Sequence, residues 1–321
     1  MKIKDRVYGP EEIKEEVLID IINSGSMQRL KGVSQLGMPD KYFFKKGFSR
    51  YEHSLGVLIL LRKLGAGLEE QVSGLLHDVS HTTFSHVIDW IYGDPEKEDY
   101  QDKNLFDSIK NSNIKNILEK KRFNYKRISN HENFPLLERE TPGLCADRID
   151  YCLREIALDK KRDLSKRLYE NLRVKNNQVV FKNKEIAEIF AKEYMGLQKK
   201  SWASDKARAS YYLLSNTLKE GLEKNILSLE DFQKTESHVL NILENQGNGF
   251  ILENLNLLKK GFKIIEDKKG VELKKKFRYI DPEVTFNNHY KKLSELSKKY
   301  NDFIESEKEN SKLNKKVLIK P

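Results

Sequence analysis

Four of the seven histidines fall between residues 53 and 86, and three of those lie in the single stretch HDVSHTTFSH. His77 and Asp78 are adjacent at the end of an apolar helical run, VSGLLHD, with His81 and His86 following. A His and an Asp side by side at a helix end can both reach one ion if the backbone turns there. Imidazole nitrogen with carboxylate oxygen suits Mn, Fe, Co, Ni, Zn or Mg. Two ligands rarely make a tight site, so the fold must bring others from elsewhere in the chain. His53 is one candidate; it starts a helix whose apolar face is Leu55, Leu58 and Leu61. Asp147 is the other, in LCADRIDYCLRE, with Asp150 three residues on and near the same face. Taken singly, each of these is more often a hydrogen-bonded core residue or a cap. As an ordered set, H…HD…D beside two more histidines, they read as metal ligands: His53, His77, Asp78 and Asp147.

The rest of the chain favours helices. Lys, Leu, Glu and Ile abound, prolines number only 7, and 34% of residues are charged. An all-α protein is expected, as a helical bundle with a helical C-terminal extension. The exception is 173–183 (RVKNNQVVFKN), where alternation around an Asn-Asn turn predicts a small β-hairpin. Periodicity predicts helices over about 11–22, 27–36, 50–65, 68–78, 80–92, 101–121, 143–158, 184–222 and 229–245. The end, from about 284, reads as helix, with 306–321 loosely ordered. A division into an N-terminal segment 1–26, a central domain 27–225 and a Lys-rich helical region 226–321 is expected.

The net charge of +10 admits a nucleotide, a nucleic acid or a membrane surface as partner, and equally a merely Lys-rich surface. No apolar run approaches the length that spans a bilayer, Val57–Leu61 being the longest strongly apolar one. MKIKDRVYGP lacks the apolar core of a secretory signal. The two cysteines, Cys145 and Cys152, are too far apart on one helix for a disulfide and fit a reducing compartment. A cytoplasmic protein without a membrane partner is expected.

Arg50-Tyr51-Glu52-His53-Ser54-Leu55-Gly56-Val57, then His77 to His86, then Asp147-Arg148-Ile149-Asp150-Tyr151 resemble the HD superfamily of metal-dependent phosphohydrolases. More narrowly they are similar to its deoxynucleoside triphosphate triphosphohydrolase branch, which includes the enzyme pairing a sterile-alpha-motif domain with an HD domain. The match runs from about Met27 to about Ile156, with a weaker echo at Phe277-Arg278-Tyr279-Ile280-Asp281-Pro282. With about 26 residues before it, no sterile-alpha-motif domain is expected.

The resemblance implies one divalent ion on the four ligands named above, a dNTP substrate, and a dimer or tetramer. It also implies that His81, His86, Arg50 and Arg148 face phosphate, and that Tyr151 packs on the sugar. Glu155 would meet the 3′-hydroxyl, and Gln35 and Leu36 would line the ribose pocket. His81 and His86 are the candidate catalytic side chains, His81 as acid or base, since an imidazole titrates near neutrality. A phosphate hydrogen bond is the alternative role for His81, and His86 reads as a phosphate contact or a structural hydrogen-bond donor.

The chain departs from that family in one respect. Members carry a further His after the HD region, and here the corresponding stretch, Glu96 to Asn104, has none, leaving Lys97 or Asn104 as stand-ins. His131, His238 and His289 fall outside the matched motifs and receive no role. Basic and aromatic residues around Trp202 read as an amphipathic helix, with a substrate entrance as the alternative. Two other functions compete with dNTP hydrolysis: an HD phosphohydrolase for another nucleotide or phosphoester, and a non-catalytic nucleotide- or nucleic-acid-binding protein.

Overall fold

The computed structural model describes residues 1–287, 289–311 and 315–321. The helix Arg50–Lys63 runs through the centre, and ten of its residues, Arg50 and His53 to Leu61, are buried. Its start is fixed by Ser49, whose hydroxyl accepts the Glu52 amide at 3.2 Å, and Arg62 and Lys63 occupy its last turn. A helix buried on all sides needs close neighbours, and two glycines supply them. A Cβ on Gly56 would lie 1.7 Å from Arg154 Nη2 and 2.2 Å from Asp150 Oδ1, so the helix Ala146–Leu158 crosses against it there. A Cβ on Gly74 would lie 2.3 Å from Leu61 Cδ1, which brings the helix Leu68–Leu76 equally near.

These three helices belong to a large core that also takes in Ile13, Leu18, Ile109, Leu118, Phe190 and Tyr300. A second cluster, centred on Phe84, Leu214, Phe232, Val239 and Ile251, joins the segment after Asp78 to the helices Asp205–Glu223, Glu236–Gln246 and Gly249–Lys260.

The all-α expectation is overturned. About 57% of the chain is helical, but eight strands form three small sheets among the described residues. Lys2–Asp5 pairs antiparallel with Gly9–Glu12. Leu172–Lys175 and Gln178–Phe181 form the expected hairpin, with Asn176 and Asn177 both at positive φ, as such a turn requires. That hairpin is extended, through a parallel contact of Phe181 with Val284, by the hairpin of Glu283–Phe286 and His289–Lys292. Lys263–Glu272 pairs antiparallel with Lys316–Lys320.

Several expected helices are also divided. The span 101–121 becomes Tyr100–Lys110 and Asn113–Lys120, with Ser112 capping the second. The span 184–222 breaks at the wide turn Gln198–Trp202 before Ser204 caps Asp205–Glu223. In the tail expected to be loosely ordered, the helix Lys298–Ser311 and a strand are present, while 312–314 lie outside the described residues. Both cysteines are free and buried. No helix among the described residues is long and apolar enough to cross a membrane.

Candidate metal and phosphate site

The glycine-mediated crossings bring His53, His77 and Asp147 to one point, with ligand atoms all within 4.8 Å of one another. His53 Nε2 lies 2.8 Å from Asp147 Oδ1 and 3.2 Å from His77 Nε2. His77 Nε2 lies 3.5 Å from Asp147 Oδ1 and from Asp78 Oδ1, and Asp78 Oδ2 is 3.9 Å from His53 Nε2. Asp78 therefore stands just outside the tight triad. It reaches the group because the chain turns directly after Leu76, where the Val79 amide donates to the Leu76 carbonyl at 3.0 Å.

Tautomers decide whether these atoms suit a cation. His77 Nδ1 is 2.7 Å from the Gly74 carbonyl, which only accepts, so Nδ1 bears the hydrogen and Nε2 a lone pair. His53 Nδ1 is 2.7 Å from Asp150 Oδ2, and burial of that carboxyl is outweighed by Arg154 and His53, which keep it ionised. That leaves His53 Nε2 as the nitrogen a cation would take, in exchange for the proton it otherwise shares with Asp147 Oδ1. Two such nitrogens and two carboxylates converging in a buried place fit a divalent cation, and spacings of about 3 Å are those of neighbouring ligands on bonds near 2.1 Å. With only the ligands facing one another, burial is outweighed by Asp78 and Asp147, which draw a proton onto His77 and raise the imidazole to about 9; a cation would take that proton's place on Nε2. Burial likewise resists ionising Asp147, yet His53 and His77 hold it far below the usual carboxylate range.

Asp150 and Arg154 are parts of the site that were not foreseen. Arg154 is fully buried. It donates to Asp150 Oδ2 at 2.7 Å, to Asp5 Oδ2 at 2.7 Å and to Glu52 Oε1 at 3.0 Å. A chain of ionic bonds thus runs from the N-terminal hairpin to the back of His53. The i,i+4 spacing of Asp150 and Arg154 was a visible signal for part of it; Asp5 had none.

A cavity of about 500 Å³ opens in front of this group, lined among others by His77, Asp78, His81, His86, His131, Asp147, Arg148, Lys276 and Arg278. Arg50 also lines it, pinned by Asp78 Oδ2 at 2.8 Å, Ser85 Oγ at 2.9 Å and the Gln35 carbonyl at 3.4 Å. His81 Nε2 is 3.2 Å from Asp78 Oδ1; burial and then Arg50 push its imidazole well down, so it is neutral. His86 stands edge-on to it at 5.1 Å, with Nδ1 3.4 Å from Asp89. Arg148 is turned onto Gly143 and Arg139 carbonyls and Glu138, at 2.6 to 2.7 Å.

A narrower recess of about 80 Å³ adjoins it, lined by Gln35, Leu36, Tyr151, Glu155, Trp202 and Tyr211. Tyr151 shares a hydrogen bond with Tyr194 at 2.6 Å and meets Trp202 edge-on at 5.0 Å. The Glu155 carboxyl is bonded by Lys45 and approached by Trp202, while its Oε1 and that of Gln35 have no hydrogen-bond partner among the described residues. Trp202 belongs to this wall and not simply to a packing stripe.

Neither proposed stand-in for the missing His reaches the cavity. Lys97 is mostly exposed near Asp94, and Asn104 donates to the Tyr100 carbonyl at 2.6 Å and lines a different hollow; Gln101 and Asp102 face the cavity from that segment instead. Glu98 and Arg278, also unforeseen, pair at the junction of cavity and recess, with Arg208 2.9 Å from Glu98. Burial resists charge on Glu98, but Arg278, His86 and Arg208 hold it ionised. The echo around Phe277 was the sole signal for Arg278.

Several known proteins resemble this chain. An HD domain family model matches residues 50–155. The uncharacterized protein YdhJ of Bacillus subtilis is 36% identical over 325 residues, covering 100% of this chain and 99% of its own. The metal-dependent phosphohydrolase cns2 of Cordyceps militaris is 34% identical over 63% of this chain and 61% of its own. The human deoxynucleoside triphosphate triphosphohydrolase SAMHD1 is 34% identical over 27% of this chain and 16% of its own. Among solved structures, a phosphohydrolase from Bacteroides thetaiotaomicron superposes with a TM-score of 0.70 at 17% identity, covering 93% of this chain and 95% of that one, which speaks for the fold.

Proposed function

This chain belongs to the HD-domain family of metal-dependent phosphohydrolases, and from that premise we propose that it hydrolyses dNTPs to deoxynucleoside and triphosphate. The observation that carries the reading is the convergence of four lone-pair ligands, His53, His77, Asp78 and Asp147, beside a cavity lined by arginine and histidine. A divalent cation bound there supplies Lewis acidity to a phosphoryl oxygen and acidifies water.

The protein's own groups do the rest. Arg50, anchored on Asp78, and Arg278, anchored on Glu98, present fixed positive charge to phosphate with little reorganisation. His81 and His86 face the same space and serve as phosphate donors or proton carriers, with Arg148 at its edge. Tyr151 forms the sugar platform beside Gln35 and Leu36. The unpartnered Glu155 Oε1 is an acceptor for a substrate hydroxyl.

A second reading, a different nucleotide or phosphoester, is favoured by one observation. The likeness to SAMHD1 spans 27% of the chain, and that to cns2 spans 63%. The deciding experiment incubates pure protein with Mn, Co or Mg and a panel of dNTPs, NTPs and monophosphates. Triphosphate with deoxynucleoside supports the first reading, and orthophosphate from a monophosphate supports the second. His77→Ala is expected to lose metal and turnover together; near-normal activity would contradict the assigned site.

A further inference from the structure

The turn that follows His77 and Asp78 also borders a second hollow, of about 520 Å³, whose walls include Ser26, Arg29, Ser80, Asn104, Asp107 and Ser108. It shares no lining residue with the cavity in front of the candidate ligands. The helix Tyr100–Lys110 serves both spaces. Gln101 and Leu105 line the front cavity, while Tyr100, Asn104 and Ser108, each four residues on from the last, line the second hollow.

Arg29 sets this hollow apart. Its guanidinium donates to the carbonyls of Val79 at 3.2 Å, His81 at 2.6 Å and Lys234 at 3.3 Å. A guanidinium has two N–H groups more than these three bonds use. Burial draws it down to about 10, and no carboxylate offsets that among the described residues. A cation taken out of water without a counter-charge is costly, and an arriving oxyanion removes the cost through charge-assisted hydrogen bonds. Ser80 lies between the two carbonyls of the turn that Arg29 holds, and its Oγ is buried without a hydrogen-bond partner among the described residues. Buried hydroxyls are rarely left so, except where a ligand or water completes them. Across the hollow, the Asn104 Nδ2 donates to the Tyr100 carbonyl at 2.6 Å, which leaves its Oδ1 as an acceptor. Asp107 is exposed at the rim, and it and Arg29 are the charged groups of this wall among the described residues.

We propose that this hollow is a second binding site, for a small oxyanion that also carries hydroxyl groups, of the sugar monophosphate class. Arg29 takes the oxyanion with its remaining N–H groups, and the Ser80 hydroxyl donates to another of its oxygens. Asn104 Oδ1 and the Asp107 carboxylate accept from the hydroxyls. One guanidinium facing one carboxylate suits a ligand of one or two negative charges and disfavours a triphosphate.

The test titrates the full chain with inorganic phosphate and, separately, with ribose 5-phosphate, following backbone amide NMR signals; phosphorus NMR confirms that the sugar phosphate stays intact. The amides of Ser26, Ser80 and Ser108 report on this hollow, and that of Gln101 on the front cavity. Ribose 5-phosphate should move the first set at about 10-fold lower concentration than phosphate does. The movement should persist in Arg278→Gln, which alters the front cavity, and vanish in Arg29→Gln. Ser108→Phe leaves the Arg29 bonds in place, fills the hollow and should abolish the movement too, which keeps the test open where Arg29→Gln does not fold. Signals that stay still with both ligands, that are lost in Arg278→Gln, or that move unchanged in Ser108→Phe would overturn the site. Equal affinity for the two ligands would overturn the assigned class. No turnover is read, so the outcome is independent of the hydrolase reading.

Discussion

At the scale of single residues, the site depends on side chains that orient the ligands as much as on the ligands. Asp150 fixes the His53 tautomer, and Arg154 fixes Asp150. Asp150→Asn keeps an acceptor but loses the charge that holds both neighbours. Metal affinity by calorimetry should fall about 10- to 100-fold; wild-type affinity would show that His53 needs no such support. The four candidate ligands stood out in the sequence because each sits in a short motif with its neighbours. Asp150 was visible as a residue near Asp147, but its task was not, since the task exists only once Arg50–Lys63 lies against Ala146–Leu158. His131 fell outside the matched motifs. Its position follows from a turn stapled by Asn130 and Asn133, and its Nε2, without a partner among the described residues, is a property of tertiary packing alone.

At the scale of elements, the helix crossing at Gly56 sets how closely the ligands approach. Gly56→Ala forces a Cβ into Arg154 and Asp150, both buried and ionic, and neither has an apolar refuge. A loss of about 3 kcal/mol or more is expected in chemical denaturation. Stability equal to wild type would mean that the two helices separate freely. The central helices were readable from periodicity, and the Asn-Asn hairpin from its turn chemistry. The other strands were not. Gly9–Glu12 reads GPEE, with no β-branched or aromatic residue, and its pairing comes from the neighbouring turn. Lys263–Glu272 finds its partner at Lys316–Lys320, far along the chain, and no local window contains both. Breaks such as Ser112 and Gln198–Trp202 are single-turn events that leave the apolar spacing on either side intact.

At the scale of the whole molecule, the two cores are tied by a buried acid. Glu236, at the start of Glu236–Gln246, accepts the Ser34 amide at 2.8 Å and the Ser34 hydroxyl at 2.7 Å. Burial raises its carboxyl to about 7, and the Ser34 bonds offset only part of that. The folded chain therefore holds this proton more tightly than the unfolded one. Its stabilising share is complete below about 4.5 and is lost as pH rises through 7, on the order of 3 kcal/mol. Glu236→Gln, a permanent mimic of the protonated acid, should be more stable than wild type at pH 8 and nearly equal to it at pH 4. Lower stability at pH 8 would show that the ionised acid is the preferred form. The bonds between distant segments also impose an order in time. Asp147 lies 94 residues beyond its partner His53, and the seat for Asp5 is 149 residues away, at Arg154. A polypeptide growing from its N-terminus displays two of the histidines long before the helix that completes their cage has been made. On the proposed ligand set, cation capture has to wait until Asp147 has been made, and a ribosome-bound fragment ending before it is a poor thief of cellular metal.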